Sequence, residues 1–114
     1  MGLEVELNGQ RISATNFRHQ YWTFVQQLAH MTVNGATTRP GDLFASGAVS
    51  GPTPDQYGSL IELTARGERP IRLLDGTPRA FLADGDTVTL RGWCGEGTTR
   101  VGFGECTGTI VPGT

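Results

Sequence analysis

Glycine punctuation over the last two-thirds of the chain is the feature that most narrows its folding choices. The runs "YGSLIELTA", "IRLL", "RAFL", "TVTLRGWC" and "TRVGFGECTGTIVP" are set apart by turn pairs such as Asp75-Gly76, Asp84-Gly85 and Gly95-Glu96-Gly97. Such pairs supply the backbone conformations of tight turns, and the short apolar runs between them read as strands. The opening obeys the same rule: "LEVELNGQRIS" alternates Leu3, Val5 and Leu7 with Glu4 and Glu6, then places Asn8-Gly9, a preferred type I′ pair, before a second run. One segment departs from it. After Thr15 or Asn16 as N-cap, Phe17, Tyr21, Phe24, Val25, Leu28 and Met31 recur at helical spacing until Asn34-Gly35, which predicts one helix over 16–33. The expected fold class is therefore mainly β with one α-helix. A length of 114 residues suits one domain with a modest core.

Charge and residue usage remove several function classes. Eleven acidic residues against nine basic ones leave a net charge of −2, and the arginines are scattered from Arg11 to Arg100, so no basic track is available for nucleic acid. Lysine is absent, which excludes a Schiff-base or phosphate-loop lysine supplied by this chain. No apolar run approaches the roughly 18 residues of a membrane span, and "MGLEVELNGQ" is not a signal region, so a cytoplasmic protein without membrane contact is expected. Cys94 and Cys106 lack the spacing and histidine partners of a zinc site and read as buried free thiols on strands.

The stretch "RPGDLFASGAVSGP", residues 39–52, concentrates glycine and proline. Pro40-Gly41-Asp42 fits a tight turn, "LFAS" a short buried strand, and Gly47 and Gly51 positions where backbone or ligand approaches closely. The segment can wall a pocket or merely let strands cross. Glu62, in "GSLIELT", is placed by strand alternation beside Leu60 and Thr64. It is either an edge-strand charge or a partly buried carboxylate with a fixed partner, such as a histidine that it orients. His19 and His30 fall opposite the apolar stripe of the expected helix, near Trp22 and Gln26, a face suited either to solvent or to protein outside this chain. Asp75, Asp84 and Asp86 sit in turns, where short carboxylates cap backbone amides.

The series "YWTFVQQLAHMTVNGATTRPGDLFASGAVSGP", "YGSLIEL", "FLADGDTVTLRGWC" and "VGFGECTGTIVP" resembles, in one colinear run from about residue 15, the C-terminal part of the fumarylacetoacetate hydrolase family of fumarylacetoacetases. The resemblance implies the C-terminal portion of that family's β-roll fold, with residues 1–114 as a single partial domain. It implies a parent hydrolase, homodimeric and dependent on Ca²⁺ or Mg²⁺, that cleaves 4-fumarylacetoacetate to fumarate and acetoacetate in tyrosine and phenylalanine breakdown. In the family a histidine activates water and a strand glutamate orients it, and that glutamate matches Glu62. The resemblance implies that substrate lies along Gly47 and Ala48. Where the family usually has threonine in "SGT(I/V)SGP", this sequence has Ala48, whose methyl forms no hydrogen bond.

The activating histidine, the metal carboxylates and an oxyanion lysine belong to family segments that precede this stretch. The resemblance thus implies no cofactor held by this chain itself, upstream segments of the parent as its partners, inactivity in isolation, and Met1 as an imposed or internal start. A stand-alone β-domain serving as a binding or assembly module is the alternative, and Ala48 and the missing histidine favour it.

Overall fold

A computed structural model of the chain describes residues 1–113. Its centre is a four-stranded antiparallel sheet in the order β2-β1-β5-β6, with β1 at Gly2–Leu7, β2 at Gln10–Asn16, β5 at Thr87–Cys94 and β6 at Val101–Thr109. The first hairpin forms as its sequence dictates: Asn8 and Gly9 take φ of 51° and 78°, the left-handed pair whose twist matches that of the flanking strands. Asn8 then reaches across to β5. Its amide donates to the Thr87 carbonyl at 2.8 Å, and its side-chain oxygen accepts from the Thr87 amide at 2.8 Å. A second, two-stranded sheet pairs β3, Ile71–Arg72, with β4, Pro78–Arg79.

The register assigns each face its chemistry. Glu4, Arg91 and Glu105 stand opposite one another, as do Glu6, Thr89 and Thr107. Arg91 bridges them, with Nη1 2.6 Å from Glu6 and Nε 2.7 Å from Glu105, and these carboxylates hold its guanidinium firmly protonated. The other face carries Leu3, Val5, Leu7, Val88 and Leu90. Leu7 is wholly buried, and Val49 and Leu73 complete the buried apolar set among the described residues. A gap of about 250 Å³ remains between this face and the segment around Tyr57, Leu60 and Leu63.

The chain between the sheet's two halves corrects several expectations. The single helix over 16–33 is two pieces: a 3-10 turn at Phe17–His19 and α1 at Phe24–Thr32. Backbone at Gln20 and Thr23 is extended, and Thr23 starts the helix instead, because its hydroxyl accepts from the Gln26 amide while the Gln26 side chain accepts from the Thr23 amide. Asn16 caps only the short turn. His19 and His30 therefore lie on different elements. No residue of α1 is buried, so its apolar stripe does not rest on the sheet. The stop at Asn34-Gly35 is as expected, with Gly35 at φ 84° and its amide on the Thr32 carbonyl.

"LFAS" forms no strand and is not buried: Leu43 is 95% exposed. It has no neighbouring strand to pair with among the described residues. "YGSLIELTA" is not a strand either but carries a four-residue helix, α2, at Leu60–Leu63. "RAFL" contributes only Arg79 to a strand. Cys94 and Cys106 do lie on strands, yet both are exposed, because the apolar face is left uncovered at its β5–β6 end.

Candidate functional site

The site is built from two segments, 47–51 and 57–63, that meet at van der Waals contact. Gly58 packs so closely on Val49 that a Cβ there would stand 2.5 Å from the Val49 carbonyl oxygen. The Gly51 amide donates to the Gln56 carbonyl at 2.9 Å, closing a loop whose turn is the 3-10 piece Pro54–Gln56. A hydrogen bond from the Ser13 hydroxyl to the Tyr57 carbonyl, 2.7 Å, moors that loop to β2. The Pro40-Gly41-Asp42 turn forms as expected: the Asp42 carboxylate accepts from the Arg39 amide at 2.8 Å.

Gly47 has φ 81°, so the residue is required for its left-handed backbone; nothing lies within 4 Å of where its Cβ would be. Ala48 is exposed, and its carbonyl accepts from the Gln20 side chain at 3.1 Å. Both lie on an irregular segment that forms no strand. Beside them a cavity of about 600 Å³ opens between α1 and residues 44–46, lined by Gln20, Trp22, Gln26, His30 and Phe44 among others. Its wall ends at Ser46, one residue short of Gly47.

Glu62 lies on α2 and not on a strand, so the alternation that placed it beside Leu60 and Thr64 does not hold. Its Oε2 accepts two hydroxyl protons, from Ser50 at 2.8 Å and from Ser59 at 2.7 Å. Sequence reasoning passed over both serines. The available signal was Ser59-x-x-Glu62, the spacing of a capping box, which marks a helix start. Here the two side chains bond each other instead of the backbone amides. The Ser50 bond joins Glu62 directly to the segment bearing Gly47 and Ala48.

The turn acids divide. Asp75 caps the Thr77 amide at 2.8 Å, and that bond holds its carboxyl below the usual range. Asp86 is far more than a turn cap: it is buried and accepts from Arg79, Ala83 and Asn8. Among the described residues no three of His, Cys, Asp or Glu come together to hold a metal ion. The cation that the resemblance implies thus finds no ligand set among the described residues.

Residues 1–111 match the family model for the fumarylacetoacetate (FAA) hydrolase C-terminal region. The chain belongs to the fumarylacetoacetate hydrolase family. Its similarity to individual fumarylacetoacetases is high: 46% identity to that of Homo sapiens over 98% of this chain, 55% to that of Arabidopsis thaliana over 89%, and 50% to that of Caenorhabditis elegans over 89%. It spans 28%, 24% and 24% of those proteins, about a quarter of their length. A mainly β chain with one principal helix agrees with membership of the fumarylacetoacetate hydrolase family. No helix among the described residues is long and apolar enough to cross a membrane.

Proposed function

We propose that this chain is the C-terminal segment of a fumarylacetoacetase, supplying one wall of the active site while upstream segments supply the rest. The observation that carries the reading is the convergence of 47–50 and Glu62 through the Ser50 hydroxyl, because it brings the expected substrate wall and the expected catalytic carboxylate to one place. In this reading Glu62 accepts a proton-bearing nitrogen of an upstream histidine and fixes its orientation, and that histidine takes a proton from water. The hydroxide adds to a carbonyl of 4-fumarylacetoacetate, and the carbon–carbon bond breaks. Its electron pair leaves with acetoacetate, which is then protonated, while fumarate keeps the added oxygen. Gly47 and Ala48 lie along the substrate. Ca²⁺ or Mg²⁺, held by residues outside this chain, supplies charge stabilisation to the diketone when bound. The parent acts as a homodimer in the cytoplasm.

Purified, the chain is expected to turn over no fumarylacetoacetate and to bind neither Ca²⁺ nor Mg²⁺ with useful affinity. Co-expressed with the upstream three-quarters of a fumarylacetoacetase, it is expected to restore hydrolysis. Turnover by the chain alone would refute the division of labour, and a well-folded complementing pair without activity would favour a non-catalytic assembly module.

A further inference from the structure

The hydrogen-bond directions around Glu62 can be assigned without ambiguity. The Ser50 oxygen accepts from the Gly58 amide at 3.0 Å. An amide N–H only donates, so the single hydroxyl proton of Ser50 is free to go to Glu62 Oε2, 2.8 Å away. The Ser59 hydroxyl, which has no other partner among the described residues, donates to the same oxygen at 2.7 Å. Two donors approach one carboxylate oxygen from two chain segments, one before and one at the start of α2. Among the described residues Oε1 accepts nothing. A glutamate has three rotatable bonds, and an exposed one is ordinarily free to turn; this one is held at its far end.

We propose that Ser50 and Ser59 are positioning residues of the active site: by saturating Oε2 they fix the Glu62 carboxylate and reserve Oε1 for the N–H of the histidine it orients. The proposal rests on the reading of Glu62 given under Proposed function. It assigns work to two residues that act through Glu62, and it distinguishes the two oxygens of the carboxylate. The Ser50 hydroxyl also links the substrate wall at 47–50 to the carboxylate, so a shift of that wall moves Oε1.

The test is a double-mutant cycle in the full-length enzyme carrying this segment. Ser50→Ala and Ser59→Ala are each expected to lower kcat by about tenfold with KM within twofold, because a misaligned base loses catalysis and not binding. In a Glu62→Gln background Ser59→Ala is expected to change kcat by less than twofold, since its hydroxyl bonds only to Glu62, and Ser50→Ala is expected to cost less than in the parent, since only the acceptor of the Gly58 amide is then lost. Ser59→Thr, which keeps the hydroxyl, is expected to retain most of the parent rate. Ser59→Ala guards against a folding artefact, because its hydroxyl bonds only to Glu62. A kcat unchanged by either serine substitution, while Glu62→Gln is strongly impaired, overturns the positioning role and leaves the role of Glu62 standing. Equal losses in both backgrounds overturn it in favour of a structural role. A Glu62→Gln enzyme within twofold of the parent removes the underlying reading itself.

Discussion

Removing a carboxylate from water costs several kcal/mol unless both oxygens are answered, and Asp86, 2% exposed, has three donors. Arg79 Nε at 2.9 Å and the Ala83 amide at 2.8 Å bond Oδ2, while the Asn8 side chain bonds Oδ1 at 2.8 Å. Led by the Arg79 bond, these hold its pKa at about 2, below the ordinary 3.8. A carboxyl depressed on folding contributes stability that is complete above its unfolded pKa and is lost as pH falls through the folded one. Urea denaturation should therefore show this contribution intact at pH 5 and shrinking between about pH 4 and 2. Asp86→Ala should cost roughly 3 kcal/mol at pH 7, by leaving Arg79 and two other donors unanswered, and should flatten the acid loss. At the site, Glu62→Gln in the full-length enzyme is expected to lower kcat by about 10²-fold with little change in melting temperature. Ala48 is exposed, so threonine fits there. Ala48→Thr should raise kcat/KM by about two- to twelvefold, equivalent to roughly 0.5 to 1.5 kcal/mol for one added hydrogen bond. Steady-state kinetics on fumarylacetoacetate decides both.

Among the elements, α1 is the one most dependent on its own sequence, since none of its nine residues is buried. Helices this short are marginal without packing, so the Thr23–Gln26 capping box carries much of its local stability. Thr23→Ala should cost about 1 kcal/mol of helix stability, seen as faster amide exchange confined to residues 24–32 with the sheet unaffected. The hairpin β1–β2 and the strands β5 and β6 were legible because alternation and turn pairs agree there, and both signals survive without knowledge of neighbours. Glu62 and "LFAS" were not legible for the opposite reason. Four apolar-rich residues fit a strand or a helical turn equally well, and the deciding contact, Ser59 to Glu62, concerns side chains that the alternation argument treats as independent. The break in the expected helix had the same origin: Phe17 and Phe24 keep helical spacing, yet they stack across the break with ring centroids 4.6 Å apart. Of the candidate site, Glu62, Gly47 and Ala48 are named only by the resemblance, and the bonds of Ser50 and Ser59 to Glu62 required the two segments to be seen together.

The molecule as a whole is too open for its length. Its radius of gyration is 16.5 Å, against about 13 Å for a compact domain of this size. Its accessible surface is 8288 Å², against about 6,100 Å² for a closed monomer of this mass. The excess is of the order that a substantial protein interface buries, and Trp22, Val25, Leu43 and Phe103 are among the apolar side chains on it. In isolation the chain should self-associate, visible by light scattering at micromolar concentration. Trp22→Lys should reduce that association and, in the full-length enzyme, weaken assembly; a monomeric chain and an intact assembly in the variant would argue against this. The sheet order carries a different consequence. β1–β2 and β5–β6 are each closed by local turns, but they join through β1 and β5, where Leu7 meets Val88. Closing a loop of roughly 80 residues costs about 4 kcal/mol of chain entropy, and doubling it adds only about 0.6 kcal/mol. The molecule is thus two prefabricated hairpins on a long tether. A nick or an insertion in the exposed stretch 36–45 should leave both halves able to find each other, which makes this chain a ready framework for a split, complementing pair.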